Sequence, residues 1–324
     1  MKGFAKHLAK RLFAFITVVW AVLTIFFIMF KLLPGDPTAV FLDSNLSPEL
    51  IARQKQLWGL SDPLWLQYLR YLKNMATFHF GVSFFQQQPV ADILAEKVKN
   101  TCLMIVPALF ISIIGGTLIG AVAGWRRGGR FERITVGLSL ILHSAPSFVV
   151  GILALMIFAY RLRWLPSGGI VSLGAPDGFW QVLTSGDYVR HAILPVMVLV
   201  SREITGPILL LRGSMFDIKG SDFIEILRAK GLSERQVVVH ATRNALLPLA
   251  TYIAVMIGVA FQGQVLLEII FAWPGIGREL VTALADLDYP IAQASLYVMA
   301  LVILSMNFIV DALYGVIDPR IVDE

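Results

Sequence analysis

The segment S-D-F-I-E-I-L-R-A-K-G-L-S-E-R-Q-V-V-V-H-A-T-R-N-A-L-L-P, Ser221–Pro248, is a charged stretch between two apolar runs. Acidic residues stand near its start, basic residues follow, and Gly231 divides it. A flexible connector would need none of this order. The pattern therefore predicts a structured loop, and we refer to Ser221–Pro248 as the charged loop.

The composition of the chain is that of a membrane protein. Of its 324 residues, 57% are hydrophobic and only 15% are charged, whereas soluble domains carry about a quarter charged residues. The net charge of +5 is attributed to loops on one side of a membrane, and no nucleic-acid partner is expected. The single cysteine, Cys102, excludes an intramolecular disulfide.

Apolar runs predict an all-α, polytopic membrane protein with six transmembrane helices, since a span needs about 20 mostly apolar residues. The predicted spans are 12–33, 101–124, 134–159, 191–211, 247–271 and 290–315. The first run is too long for a signal peptide and no small-residue cleavage motif follows it, so we expect it to be retained.

Lysine and arginine residues predict the orientation of the spans. They are concentrated in the N-terminal segment 1–11, in the loop between the second and third spans, and in the charged loop. Basic short loops face the cytoplasm, so we expect both termini to be cytoplasmic. On this topology 34–100 is extracytoplasmic, and 101–318 is a core with five spans that includes the charged loop 221–248.

Breaks within the spans mark candidate functional positions. Gly116, Gly120 and Gly124 form a small-residue face that suits either packing within one subunit or a subunit interface. Pro146 is predicted to kink the third span. Polar residues at a broken helix in the membrane are candidates for a translocation path, although serines beside a kink also satisfy freed backbone groups. The predicted path residues are His143, Ser144, Pro146, Ser147, Gln262, Gln264 and Glu268.

Motifs of catalysis, nucleotide binding and metal binding are missing from the sequence. There is no G-x-x-x-x-G-K-[ST], no H-E-x-x-H, no cysteine and histidine set with zinc spacing, and no G-x-S-x-G. We therefore predict no catalytic residue and no metal site. Energy for transport would come from a partner or from an ion gradient.

Helix signals divide the charged loop into two helices. Asp222 and Glu225 predict a capping box at the start of the first. The apolar residues Phe223, Ile224, Ile226 and Leu227 are expected to cluster on one side of this helix.

The end of the first helix and the start of the second are also marked. Gly231 is expected to end the first helix in the left-handed conformation. Ser233 and Gln236 predict a second capping box. Pro248 is expected in the first turn of the next span.

These residues carry a resemblance to a known family. E-I-L-R-A-K-G followed by N-A-L-L-P resembles the EAA loop of ABC importer membrane subunits, of the general form E-A-A-x-x-x-G…x-L-P. F-A-W-P-G-I-G-R-E-L-V-T-A-L-A-D-L-D-Y-P and D-A-L-Y-G-V-I-D-P-R-I are similar to the B-type permeases of dipeptide, oligopeptide and nickel importers. The resemblance covers essentially the whole chain. Ile226 and Leu227 replace the two alanines of the motif, which indicates a bulkier apolar contact.

The resemblance implies a type I ABC importer permease in the cell (inner) membrane. The charged loop would couple the spans to a cytoplasmic ATPase, while Pro274, Gly275 and Gly277 would begin a short helix near the outer substrate gate. The implied partners are a second homologous permease subunit, an extracytoplasmic substrate-binding protein and two ATPases, which would bind ATP and Mg in place of this chain. The implied coupling residues are Glu225, Arg228, Lys230, Gly231 and Ser233.

Alternatives remain open at this point. Peptides are the expected cargo, but nickel chelates and oligosaccharides are carried by close relatives of such permeases. An ion-coupled secondary transporter would need titratable residues within the spans, for which Arg202, Glu203, Glu268 and Asp311 are the candidates. A membrane anchor without transport would leave the ordered charged loop unexplained.

Overall fold

The computed structural model describes residues 2–32, 62–172, 174, 179–260 and 264–317. Within these ranges the regular structure is helical, with no strand beyond an isolated bridge between Val82 and Pro89. The prediction of an all-α protein is confirmed. The helices, in chain order, are α1 Lys2–Leu32, α2 Leu64–Ala76, α3 Val90–Trp125, α4 Arg130–Ser144, α5 Ser147–Ala154 with a π-helical extension Leu155–Arg161, α6 Phe179–Leu183, α7 Gly186–Glu203, α8 Thr205–Lys219, α9 Asp222–Ala229, α10 Glu234–Ala260, α11 Val265–Ile270, α12 Ile276–Ala285 and α13 Tyr289–Ile317.

Several described helices are long and apolar enough to cross a membrane. There are four among the described residues: Leu8–Leu32, Val90–Trp125, Gly186–Lys219 and Tyr289–Ile309. The pair Arg130–Ser144 and Ser147–Arg161 is bent by 100° and makes a fifth if it is counted as one span. The chain is thus a multi-pass membrane protein, and the six predicted spans exceed those that the described helices support.

The predicted fifth span, 247–271, is not a single helix in the described residues. Helix α10 ends at Ala260 and α11 begins at Val265. The residues between them include Gln262, a predicted path residue, which lies outside the described ranges.

The predicted position of Pro248 is wrong. Pro248 lies inside α10, not in its first turn. The helix begins much earlier because Ser233 and Gln236 cap it, with the Ser233 N–H and Oγ both donating to Gln236 Oε1 at 2.9 Å. A proline is tolerated inside the helix at the cost of one backbone hydrogen bond. The second helix of the charged loop and the following apolar segment are therefore continuous.

The chain folds into two compact units, the first formed by Met1–Thr101 and Pro274–Glu324. In this unit α1 packs along α13, and α12 also contacts α13. Its core contains Phe30 of α1, Tyr71 of α2, Ile93 of α3 and Tyr297 of α13.

The second unit is Cys102–Trp273, and its largest apolar cluster surrounds the fully buried Trp273. Its glycine face, formed by Gly116, Gly120 and Gly124, packs against α8 of the same chain. A Cβ added at Gly120 would lie 2.7 Å from the Ile208 carbonyl oxygen, and one at Gly124 would lie 2.6 Å from the Arg212 carbonyl oxygen. The small residues let two backbones touch, so the face serves packing within the subunit.

Candidate functional site

The first helix of the charged loop, α9, begins one residue earlier than its predicted cap requires. Ser221 occupies the cap position without a side-chain capping bond, and its Oγ donates to the Ile218 carbonyl oxygen at 2.6 Å. Asp222 is already the first helical residue. The predicted capping box of Asp222 and Glu225 is therefore wrong. Both carboxylates still lie in the first turn, where their negative charge interacts favourably with the positive end of the helix dipole.

The turn after α9 is a Schellman motif built on Gly231. The φ angle of Gly231 is +77°, as the sequence predicted. The Gly231 N–H donates to the Arg228 carbonyl oxygen at 2.9 Å, and the Leu232 N–H donates to the Leu227 carbonyl oxygen at 3.3 Å. These are the two bonds that define the motif. The charged loop is thus a helix, a fixed elbow and a second helix.

One side of α9 is held by an apolar cluster. Ile224 and Leu227 are buried together with Leu211 and Met215 of α8 and with Val237 of α10. Each large apolar side chain buried in such a cluster contributes about 1.5–3 kcal/mol. The elbow is consequently fixed to the end of α8 and to the start of α10.

The predicted coupling residues lie on the free surface of the charged loop. Glu225, Arg228, Lys230, Gly231 and Ser233 are all exposed. The elbow is bridged by an exposed ion pair, in which Arg228 Nε lies 2.9 Å from Glu234 Oε1. The structure therefore exposes all five, Glu225 in the first turn of α9 and the other four around the elbow, and their role in coupling stays a prediction.

The two residues that replace the alanines of the EAA pattern point in different directions. Leu227 is buried, while Ile226 is 53% exposed. The expectation that all four apolar residues of this helix share one side is wrong for Ile226. An apolar side chain is thereby left on the outer surface of α9.

An ion pair between a buried carboxylate and a partly exposed arginine, near the charged loop, was missed by the sequence reasoning. Arg212 of α8 contacts Glu132 of α4 through Nε at 2.6 Å and through a terminal nitrogen at 2.5 Å. The second carboxylate oxygen of Glu132 accepts the Gly128 N–H at 2.6 Å. The signal was present: Glu132 is an acidic residue among the four arginines of one short loop.

A stacking contact reinforces this connection. The Arg127 guanidinium lies 3.4 Å from the centroid of the Phe216 ring. This is an attractive cation–π contact between the two side chains. The turn between α3 and α4 is therefore attached to α8 at two points.

The predicted kink at Pro146 is a sharp break. Helix α4 ends at Ser144 and α5 begins at Ser147, with Pro146 in the cap position. The His143 Nδ1 lies 3.1 Å from the Arg202 carbonyl oxygen, and Ser144 Oγ donates to the Leu140 carbonyl oxygen at 2.9 Å. His143, Ser144 and Pro146 are exposed and Ser147 is half-buried.

The other predicted path residues that are described, Gln264 and Glu268, are buried. Gln264 Nε2 donates to the Ala260 carbonyl oxygen at 2.6 Å, and Glu268 is 1% exposed. Helix α11 packs on α5, beyond the break. Gln264 and Glu268 thus differ in exposure from the predicted path residues around Pro146, three of which are exposed.

The predicted gate residues Pro274, Gly275 and Gly277 stand at the start of α12 in the first unit. The Pro274 carbonyl oxygen accepts a hydrogen bond from Asn100 Nδ2 at 3.1 Å. Gly275 is extended and occupies the cap position, and Gly277 is buried. The start of α12 is thus held by the segment that precedes it by more than 170 residues.

Carboxylates of the same unit make further connections across long sequence distances. Glu279 of α12 contacts Lys97 Nζ at 3.1 Å and accepts from Gln86 Nε2 at 2.7 Å. The buried Asp288 accepts from Ser83 Oγ at 2.6 Å. These bonds fix α12 and the start of α13 to the segment around residues 83–97.

Comparison with known proteins identifies the family. The profile described as binding-protein-dependent transport system inner membrane component matches residues 116–323. The profile for the N-terminal part of such membrane components matches residues 4–105. The chain therefore belongs to the family of binding-protein-dependent transport system inner membrane components.

Curated relatives match over nearly their full length. The chain is 34% identical to the di/tripeptide transport system permease protein DppB of Pseudomonas aeruginosa (97% of this chain and 98% of the relative). It is 30% identical to the oligopeptide transport system permease protein AppB of Bacillus subtilis (98% and 99%). It is 34% identical to the dipeptide transport system permease protein DppB of Escherichia coli K12 (91% and 92%). The chain is a permease component of a binding-protein-dependent importer, and works with other subunits.

Proposed function

We propose that this chain is one of two permease subunits in an ATP-driven importer of peptides. The relatives described above are named for the transport of di- and tripeptides, dipeptides and oligopeptides. In the proposed assembly an extracytoplasmic binding protein delivers the peptide, and two ATPases supply the energy. This chain contributes half of the translocation path and no catalytic residue.

The observation that carries the coupling part of this proposal is the fixed elbow at Gly231. A mechanical link must transmit displacement without bending, and the Schellman bonds and the buried Ile224 and Leu227 hold the elbow to α8 and α10. The exposed charges and the exposed Ile226 offer a partner both polar and apolar contacts. The proposed coupling residues are Glu225, Arg228, Lys230, Gly231 and Ser233.

The proposed orientation follows from the basic residues. The charged loop and the loop around Arg127 would face the cytoplasm, where short basic loops are retained. Both termini would then be cytoplasmic, and the start of α12 would lie on the outer face, near the substrate gate. Gly275 and Gly277 would belong to that gate.

Co-purification tests the proposal. The tagged chain is extracted gently from its own membranes, and its companions are identified by mass spectrometry. We expect ATPases with a nucleotide-binding loop, a second permease of the same family and, in the presence of peptide, a binding protein. Isolation of the chain alone, with uptake that survives ATP depletion and collapses with the ion gradient, would contradict the proposal.

A further inference from the structure

Two ionisable residues lie at the centre of the apolar run formed by the consecutive helices α7 and α8. Arg202 and Glu203 are the two central residues of the 34-residue run Gly186–Lys219. Each is roughly 25 Å from either end of that run, at about 1.5 Å per residue. Because the apolar core of a bilayer is about 30 Å thick, both residues belong to its middle.

The break at Pro146 lies beside this group. The Arg202 carbonyl oxygen is 3.1 Å from His143 Nδ1, and Thr205 Oγ1 donates to the Ser139 carbonyl oxygen at 2.9 Å. These contacts bring the last turns of α4 against the junction of α7 and α8. Irregular backbone at membrane depth occurs where it is buried in protein or lines water. Since His143 and Pro146 are exposed in this chain, they need water or a partner subunit beside them.

The Arg202 guanidinium is only partly neutralised. Its side chain is 47% exposed, and its Nε lies 3.7 Å from the Glu203 carboxylate, which is itself 15% exposed. This distance is too long for a hydrogen bond, and among the described residues the guanidinium has none. A charged residue at the centre of a membrane faces the interior of a bundle or a water-filled cavity. The exposed side of Arg202 therefore faces an aqueous space or a partner subunit, not lipid.

Glu203 is held on the other side by neighbouring helices. Its side chain is only 15% exposed, and nearby the Tyr252 hydroxyl oxygen of α10 would lie 1.8 Å from a Cβ added at Gly206 of α8. Helices α8 and α10 thus meet behind the carboxylate. The arrangement leaves the cation, Arg202, as the more accessible member of the pair.

We propose that Arg202 is a transient binding site along the translocation path, where its guanidinium binds the C-terminal carboxylate of the transported peptide. This inference rests on the proposed function. Arginine presents parallel N–H donors that match a carboxylate in geometry and charge. A free peptide of any sequence carries this carboxylate, so the contact is independent of side chains. The weak pairing with Glu203 lets the carboxylate compete and then leave.

Uptake by the purified importer, with all its partners in proteoliposomes, tests the assignment. The probes are Ala-Ala-Ala and its C-terminal amide, and the readout is the ratio of their uptake rates at fixed binding protein. The binding protein has the same preference between the two probes in every variant, so this preference does not affect the comparison of ratios. The variants are Arg202→Gln, Arg202→Lys and the control Arg190→Gln, which removes an exposed arginine near the end of the same helix.

The expected result is a loss of discrimination only where the charge at the centre is lost. Arg202→Gln should lower the ratio of free to amidated peptide by about tenfold or more, as expected when a charge-assisted bond is removed. Arg202→Lys should keep most of the ratio, and Arg190→Gln should leave it unchanged. An unchanged ratio in Arg202→Gln, or an equal loss for both probes, would overturn the assignment.

A second measurement uses the wild-type chain, in case Arg202→Gln fails to assemble. A tripeptide with a photoreactive group in its C-terminal residue is trapped during transport, and the labelled segments are mapped by mass spectrometry. Label within 139–143 or 201–206 is expected, and label confined to other segments overturns the assignment. A wild-type importer that carries other solutes and no peptide would overturn the proposed function and this inference with it.

Discussion

The elbow of the charged loop allows a test that separates backbone conformation from side-chain size. Gly231 has a φ of +77°, and a Cβ added there would meet no atom within 4 Å. A Cβ therefore fits the space, and the cost of adding it comes from the left-handed backbone conformation. For ordinary L-residues this cost is about 1–2 kcal/mol, and it is larger for a β-branched residue. Asparagine enters this region more readily.

The expected order of effects follows from these costs. About 1.4 kcal/mol corresponds to a tenfold change in population, so Gly231→Ala should populate the native elbow several-fold less and Gly231→Val less still. Gly231→Asn should remain close to the wild type. Gly220→Ala is the matched control, because Gly220 lies at the other end of α9 with an ordinary φ of −86° and is also exposed.

The assay is the number of ATP molecules hydrolysed per peptide imported in proteoliposomes. We expect this number to rise in the order Asn, Ala, Val, with the Gly220→Ala protein at the wild-type level. Wild-type uptake and coupling in Gly231→Val would refute the reasoning that the elbow transmits motion. Equal defects in Gly231→Asn and Gly231→Val would show that the side chain, not the φ angle, is the cause.

Three further predictions concern the surface and the packing of the same chain. Glu225→Lys should weaken co-purification of the ATPases, whereas Asp286→Lys, an equal charge change at an exposed site directly after α12, should not; equal effects would contradict a docking role for Glu225. Glu132→Gln should lower the free energy of unfolding by about 1.5–3 kcal/mol, because its charged hydrogen bonds are weakened, and an unchanged thermal unfolding midpoint would contradict this. Gly120→Ala should lower the free energy of unfolding by about 1–3 kcal/mol through overpacking. The control Gly115→Ala should be nearly neutral, because its added Cβ would lie 3.4 Å from the flexible end of a side chain. Similar thermal unfolding midpoints for the two variants would argue against close helix contact.

The two alanine replacements show what a short helix leaves undecided. Four of the eight residues of α9 are large and apolar, so periodicity alone assigns no unique buried face. The face was selected by Leu211 and Met215 of α8, which receive Ile224 and Leu227. The sequence pattern of α9 alone does not predict which of its apolar residues are buried. The glycine that ends the helix was predictable because its conformation is a local property.

The fifth predicted span shows how a proline can mislead. Prolines favour the first turn of a helix, and an apolar run begins next to Pro248. The helix starts instead at Glu234, where Gln236 caps Ser233. Both signals were in the sequence, but only the capping signal coincides with a helix start. Helix α10 continues through Pro248 and packs along α8.

Long-range polar contacts were beyond sequence reasoning altogether. Ser83 and Asp288 are 205 residues apart, and Gln86 and Glu279 are 193 apart. Serine, glutamine and carboxylate residues in loops give no indication of a partner. The predicted gate segment was located by its resemblance alone, and the structure adds the bonds that hold it in place.

The contacts of the second unit provide a continuous route from the elbow to the break at Pro146. Ile224 packs on α8 through Met215, and Arg212 of the same helix holds Glu132 at the start of α4. The last turn of α4 then contacts Arg202 through His143. Displacement of the elbow by an ATPase would therefore reach the start of α4 through α8, and the end of α4 through the junction of α7 and α8. Because α4 and α5 meet at a sharp angle with no helical bond across Pro146, this joint is the place where such a displacement would change the width of the proposed path beside Arg202.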